Sequence, residues 1–429
     1  LTSGLRFLIA AKRCEITELQ QLAHTSALVN AVGRLVHGLQ RERGLTNLHL
    51  ASQNAQWEAA LGQQILDSET LQAQVASCFE GMNVATARPS QGARLFSRIA
   101  YALQGMAALP ALRRRLRAEA WPAERATAAY VRLISSLLAV VFEAADTAAD
   151  PGISRSLVAL FNFMQGKELT GQERATGSAL FAAGQANAVA QQRLLHLIES
   201  QERCLQVFEE FASPPQWQAW QLAQHAKQLA TLERMRRVLC TASNGAPLDR
   251  QLSQVWFDAN TAVIDAMKAI EDRLALDLLE LCETRLAAAT AELATFEALN
   301  SQGNTSRFDP ADDLSFFDQA SPDLSTPASA LSPTAPGFGL QLDRSILELV
   351  QDQARRLQSM AQELDTVRAS LSERKLIERA KGLLMAHRRL SEEDAHKNMR
   401  QMAMNQNRRL IDVAEALLSM AEVLPEPQR

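Results

Sequence analysis

The chain has 429 residues, 47% of them hydrophobic, 21% charged and only 5% aromatic, with a formal net charge of −4. That balance excludes a disordered polymer and a generally basic nucleic-acid binder, and no run approaches the roughly 20 uninterrupted apolar residues of a membrane span. Cys14, Cys78, Cys204, Cys240 and Cys282 are odd in number and lack Cys-x-x-Cys spacing, which argues against a disulfide framework or a metal site and for reduced thiols in a cytoplasmic protein.

The apolar stretch from Leu5 to Ala11 is short and is followed by Lys12 and Arg13, so it is read neither as a span nor as a targeting segment. Residues 1–300 are uniformly rich in Ala, Leu and Gln at three- and four-residue spacings, with breaks near Pro89, Pro122, Asp150-Pro151-Gly152, Pro214-Pro215 and Gly245-Ala246-Pro247. No alternating strand pattern occurs. The predicted fold class is all-α, with about eight helices in this part arranged as two up-down four-helix bundles.

Two arginines stand where core residues are expected. Arg43 follows Val36 and Leu39 and precedes Thr46 and Leu50; Arg236 lies in the series Leu222, Leu229, Leu232, Leu239, with Arg237 beside it. A buried guanidinium needs an anion, either a carboxylate such as Glu42, Glu168, Glu173 or Glu233, or a ligand. Enzymatic signatures are missing: there is no phosphate-binding glycine loop, no Gly-x-Ser-x-Gly elbow and no His-Glu-x-x-His helix.

The segment His37-Gly-Leu-Gln-Arg-Glu42-Arg43-Gly44-Leu-Thr-Asn-Leu, with Met164-Gln-Gly-Lys167-Glu168-Leu-Thr-Gly171-Gln-Glu173-Arg174 further on, resembles the two landmarks of NIT domains, all-helical nitrate- and nitrite-sensing modules. The resemblance implies a sensor over residues 1–300, no cofactor, and nitrate or nitrite as the signalling ligand. It carries an arginine from the first long helix onto Arg43 and one from a late helix onto Arg236 or Arg237, with Arg174 as a further candidate. The chemistry agrees, because a planar guanidinium can donate two parallel hydrogen bonds to the edge of a flat anion.

From 301 to 340 the chain holds Pro310, Pro322, Pro327, Pro333 and Pro336 among Ser, Thr and Asp, the composition of an acidic linker. Val350, Leu357, Leu364 and Leu371 then recur every seven residues, with Met360 and Val367 between them. This heptad predicts a helix over 341–371 that pairs with a second copy or docks on the sensor. It runs unbroken into the next module.

Between Leu371 and Met420 ten basic side chains face seven acidic ones, a net +3. Leu376, Ile377, Ala380, Leu383 and Leu384 mark one helix face, Ser391 caps a second helix, and Asn405 or Asn407 caps a third whose apolar side is Leu410, Val413, Ala414 and Leu417. The run Arg374 to Met385, Ser391 to Ala395, Met399-Arg400, Ala403-Met404 and Asn407 to Leu410 resembles an ANTAR domain, a three-helix RNA-binding module of antiterminators, over 371–422. Lys381, Arg388, Arg400, Arg408 and Arg409 are the predicted phosphate contacts. With no aromatic residue after Phe338, a hairpin in leader mRNA suits this inventory better than an unpaired strand.

The two resemblances together imply a NasR-type nitrate- and nitrite-responsive antiterminator: a dimeric, cytoplasmic regulator of transcription with no enzymatic activity and no DNA or membrane partner. The alternative is a helical ligand sensor acting through protein or DNA contacts.

Overall fold

The computed structural model describes residues 2–52, 55–81, 89–118, 121–224, 226–302, 338–388, 390, 392–406 and 408–421. Among the described residues the regular elements are all helices: α1 (Thr2–Ser52), α2 (Ala55–Glu80), α3 (Pro89–Arg117), α4 (Ala123–Thr147), α5 (Pro151–Ala183), α6 (Ala188–Phe211), α7 (Pro214–Ala223), α8 (Ala226–Thr241) and α9 (Leu252–Gln302), then α10 (Phe338–Arg388), α11 (Glu392–Gln406) and α12 (Leu410–Ala421). The predicted linker lies outside the described residues except at its ends, where 301–302 belong to α9 and 338–340 to α10.

Helix starts follow proline and cap chemistry. Pro89 opens α3 and Pro122 immediately precedes α4. Asp150 caps α5 by accepting from the Ile153 amide at 2.9 Å, with Pro151 at the first helical position, where no N–H is needed. Asn187 caps α6 in the same way through Ala190. Pro110 departs from this pattern and sits inside α3.

The chain divides into two compact units, residues 1–23 with 281–363 and residues 24–280 with 364–429. In the first, Leu5, Leu8, Ile9 and Phe296 form a small core. Lys12, wholly buried, sits between Glu15 at 2.6 Å and Glu292 at 2.5 Å, and Arg356 joins both acids.

The second unit holds the sensor helices. One bundle joins the rest of α1 to α2, α3 and α4, through Gln64 on the Gly38 carbonyl, Gln72 on the Met106 carbonyl, and Arg113 and Tyr130 on Glu42. By length and apolarity α4 could cross a membrane, but most of its apolar stretch is buried in this packing. The second bundle is α5, α6, α8 and the start of α9, with the short α7 against it. Its core gathers Leu180, Phe181, Leu194, Leu232, Met235, Leu239 and Trp256. Gly177 is what lets α9 approach α5: a Cβ there would fall 2.2 Å from the Trp256 ring.

The same unit contains the C-terminal module, in which Ala380, Leu384, Ala395, Met399 and Ala414 close one core, with Ile377, Leu410 and Leu417 against it. Asn405 does not cap its third helix, since it lies within α11, and Ser391 and Asn407 lie outside the described residues. The turn into α12 is instead held by the Arg409 amide donating to Asp412 at 3.1 Å. Of the predicted seam, Leu364, Val367 and Leu371 are buried within the single chain, Met360 is half-buried and Leu357 is exposed; the Val350 side chain lies outside the described residues.

Candidate functional site

The first sensor motif lies at the centre of α1 and places two adjacent ionic side chains in different pockets. Glu42 turns into the first bundle and is fully enclosed, accepting from Arg113 at 2.8 and 2.9 Å and from the Tyr130 hydroxyl at 2.8 Å. Arg43 turns toward α5. Its two terminal nitrogens both donate to Glu168, one of them at 3.2 Å, and both side chains are almost wholly buried. Glu168 also accepts from Gln40 at 2.8 Å and Gln172 at 3.0 Å, so its carboxylate is held by three side chains. Gly171 provides the space, because a Cβ at that position would stand 2.8 Å from the Arg43 guanidinium.

Arg174 belongs to the same cluster. It donates to the Thr261 hydroxyl at 2.9 Å, lies over the Phe257 ring at 4.7 Å, and has no carboxylate within ion-pair distance among the described residues. Burial first, and then the neighbouring charge of Arg43, hold its pKa down to about 10. Two guanidiniums therefore share one buried carboxylate, with only the exposed Asp265 adding negative field from α9. An uncompensated buried cation is costly, and a monovalent anion would remove the cost.

Arg236 is differently placed. It faces inward while Arg237 is exposed, which decides between the two positions that sequence left open. Its guanidinium donates to Glu173 at 2.7 and 2.6 Å, to Glu233 at 2.7 Å and to Gln201 at 3.0 Å. Burial alone would lower its pKa, but the two carboxylates raise it above the usual arginine value. The charge at Arg236 is thus more than balanced. Glu168 and Glu173 are five positions apart on α5, roughly 140° around the helix, so Arg43 and Arg236 grip different faces of it.

Of the predicted phosphate contacts one is buried and four are exposed. Lys381 is buried and pairs with Glu378 at 2.8 Å, and Arg400 reaches Glu199 of α6 at 2.6 Å. Arg388, Arg408 and Arg409 are exposed, and Arg409 pairs with Asp412 at 3.1 Å.

Glu199 belongs to a stripe of α6 that sequence reasoning had not singled out. Gln192, His196, Glu199 and Arg203 recur at spacings of four, three and four, which puts them on one helix face. Lys397 donates to Gln192 at 3.3 Å, and the His196 and His396 rings lie 5.3 Å apart. A second patch joins α10 to α4 and α5. Arg374 donates to Asn162 at 2.8 Å over the Phe161 ring, while Lys375 bonds Asp146 beside Phe142. Four cations of the C-terminal module thus have partners on the sensor.

Comparison with known proteins agrees with both halves. The nitrate and nitrite sensing family, NIT, matches residues 34–279, and the ANTAR domain family matches residues 365–418. The nitrate regulatory protein of Klebsiella oxytoca is 33% identical over 412 residues, covering 96% of this chain and 93% of that protein. The solved structure of the NasR transcription antiterminator superposes with a TM-score of 0.58 at 31% identity, over 98% of this chain and 99% of that one.

Proposed function

This chain belongs to the NIT–ANTAR family of NasR-type regulators, and from that premise we propose that it is a cytoplasmic, nitrate- or nitrite-responsive transcription antiterminator whose RNA-binding module is held against the sensor until the anion binds. It is a regulator, not an enzyme. The observation that carries the anion reading is the pair Arg43 and Arg174 around the single carboxylate of Glu168. A nitrate or nitrite ion entering there would accept from guanidinium donors and compensate the surplus charge. Arg236 is a third guanidinium, which the anion could reach only as Glu173 or Glu233 lets go.

The output follows from what the docked state occupies. Arg400, inside the ANTAR motif, is held by Glu199 of α6 while the module is docked, and Lys381, also inside it, is buried against Glu378 of its own helix. The helices that line the anion cluster and Arg236 are also the docking helices. α5 carries Glu168 and, six residues earlier, Asn162 under Arg374; α6 carries Gln201 at Arg236 and, two residues earlier, Glu199 under Arg400. An anion that binds the undocked arrangement better shifts the population toward it, by no more than its differential affinity for the two states. The freed module would then capture a hairpin in leader mRNA, as one arm of a dimer.

The test is filter binding of the full chain to hairpin RNA and to duplex DNA, with nitrate, nitrite or chloride. Tighter hairpin binding in nitrate or nitrite only, with no gain for DNA, is the expected result; equal hairpin affinity in all three salts would exclude this mechanism.

A further inference from the structure

The second bundle contains a cavity of about 260 Å³ that borders Arg236 and is lined by none of Arg43, Glu168 and Arg174. Its walls come from α5 to α9, and Leu205, Leu229, Leu232, Val263 and Met267 make them mainly apolar. Three of the five polar side chains at its edge are engaged. Arg236 is bound to two acids; Gln201 donates to Glu173 at 2.6 Å and accepts from Arg236 at 3.0 Å; Thr170 donates to the Gly166 carbonyl at 3.0 Å. Gln224, half-buried, has no side-chain hydrogen bond among the described residues, and Trp220 is the buried exception. It lines the cavity and is only 4% exposed, and its Nε1 has no acceptor among the described residues.

Three constraints define an occupant. An apolar cavity of about 150 Å³ accepts benzene, so this one has room for a ring with a substituent or for two fused rings. Its single charged side chain faces two carboxylates, which gives a further anion nothing to neutralise, and the apolar walls offer a cation no solvation. One buried N–H is open to an acceptor, and buried donors are nearly always satisfied. We infer that this cavity is a second ligand site, taking an uncharged, largely apolar ring compound whose carbonyl or ether oxygen accepts a hydrogen bond from Trp220 Nε1.

The site is tested by ligand-observed NMR titration of the full chain with acetophenone, with ethylbenzene as the probe lacking the acceptor and benzoate as the charged one. Saturable binding in the order acetophenone, ethylbenzene, benzoate is expected. Trp220→Phe should cut acetophenone affinity by about three- to tenfold, the size of one hydrogen bond, without affecting ethylbenzene. Ala266→Leu, which fills the wall of α9, should remove both. Acetophenone affinity should be the same in chloride and in nitrate, which separates this site from the anion cluster. No saturable binding of acetophenone, benzoate binding as tight as acetophenone, or a Trp220→Phe variant that keeps the acetophenone preference would each overturn the inference.

Discussion

Arg400 of α11 meets Glu199 of α6 at 2.6 Å, on a stripe where Glu199 is the acid facing the cations Arg203 and Arg400. Both partners are about half exposed, so the pair by itself contributes at most about 1 kcal/mol. Charge reversal is the sharper probe. Glu199→Lys should turn the contact repulsive and raise hairpin-RNA affinity without nitrate by about three- to tenfold. Filter binding of the full-length variant checks this, and unchanged basal affinity would show that the stripe does not hold the module.

The anion cluster predicts three distinct outcomes. Arg174→Gln removes the unpaired cation and keeps the Arg43–Glu168 pair, so it should abolish nitrate binding with little loss of stability. Arg43→Ala should also abolish it, but leaves Glu168 buried without its cation and costs on the order of 3–5 kcal/mol. Glu168→Gln removes the competing carboxylate and should tighten nitrate binding. Calorimetry with a nitrate, nitrite and chloride panel, alongside thermal unfolding, distinguishes them. Wild-type affinity in both arginine variants would move the site away from α1.

Much of this architecture is legible in the sequence because it rests on local chemistry. Proline at a helix start and apolar residues three or four apart act within one helix, and they locate α3, α4, α5, α7 and the core of Ala380, Leu384 and Ala414. The ionic partners are not local. Arg43 and Glu168 are 125 residues apart, and Arg236 and Glu173 are 63 apart, so periodicity shows that an arginine is buried without showing which carboxylate meets it. The α6 stripe is hidden for a different reason. Gln192, His196, Glu199 and Arg203 have the composition of a solvated helix face, and only the packed structure shows α11 against them.

The docked histidines impose a pH dependence. His396 is buried and its pKa is held down to about 4, first by burial and then by Arg203, His196 and Lys381, against the opposing charge of Glu199. The ordinary histidine value is 6.5, and release from α6 removes the Arg203 and His196 charges, so the released state takes up a proton more readily than the docked state. The docked state is therefore fully favoured above about pH 6.5 and loses stability as pH falls toward 4, by at most about 1.4 kcal/mol per pH unit for one proton. Hairpin affinity without nitrate should rise between pH 7.5 and 5.5, and His396→Gln should flatten that rise. An identical rise in the variant would assign it to other groups.

The heptad yields the last prediction because its two halves have different environments. Leu364, Val367 and Leu371 are buried within one chain, at 9%, 4% and 2% exposure, whereas Leu357 is 52% exposed. A buried leucine cut to alanine loses its transfer energy and leaves a cavity, about 2–5 kcal/mol in a packed core. Leu364→Ala should therefore destabilise the docked monomer and raise basal RNA binding. Leu357→Ala should leave both almost unchanged, since a solvent-facing leucine has little burial to lose. If the upper half of the seam pairs two copies in the RNA-bound state, Leu357→Ala should instead weaken that dimer. Sedimentation with nitrate and hairpin RNA reads this directly. Dimerisation at wild-type concentration in the Leu357 variant would place the pairing surface elsewhere on the chain.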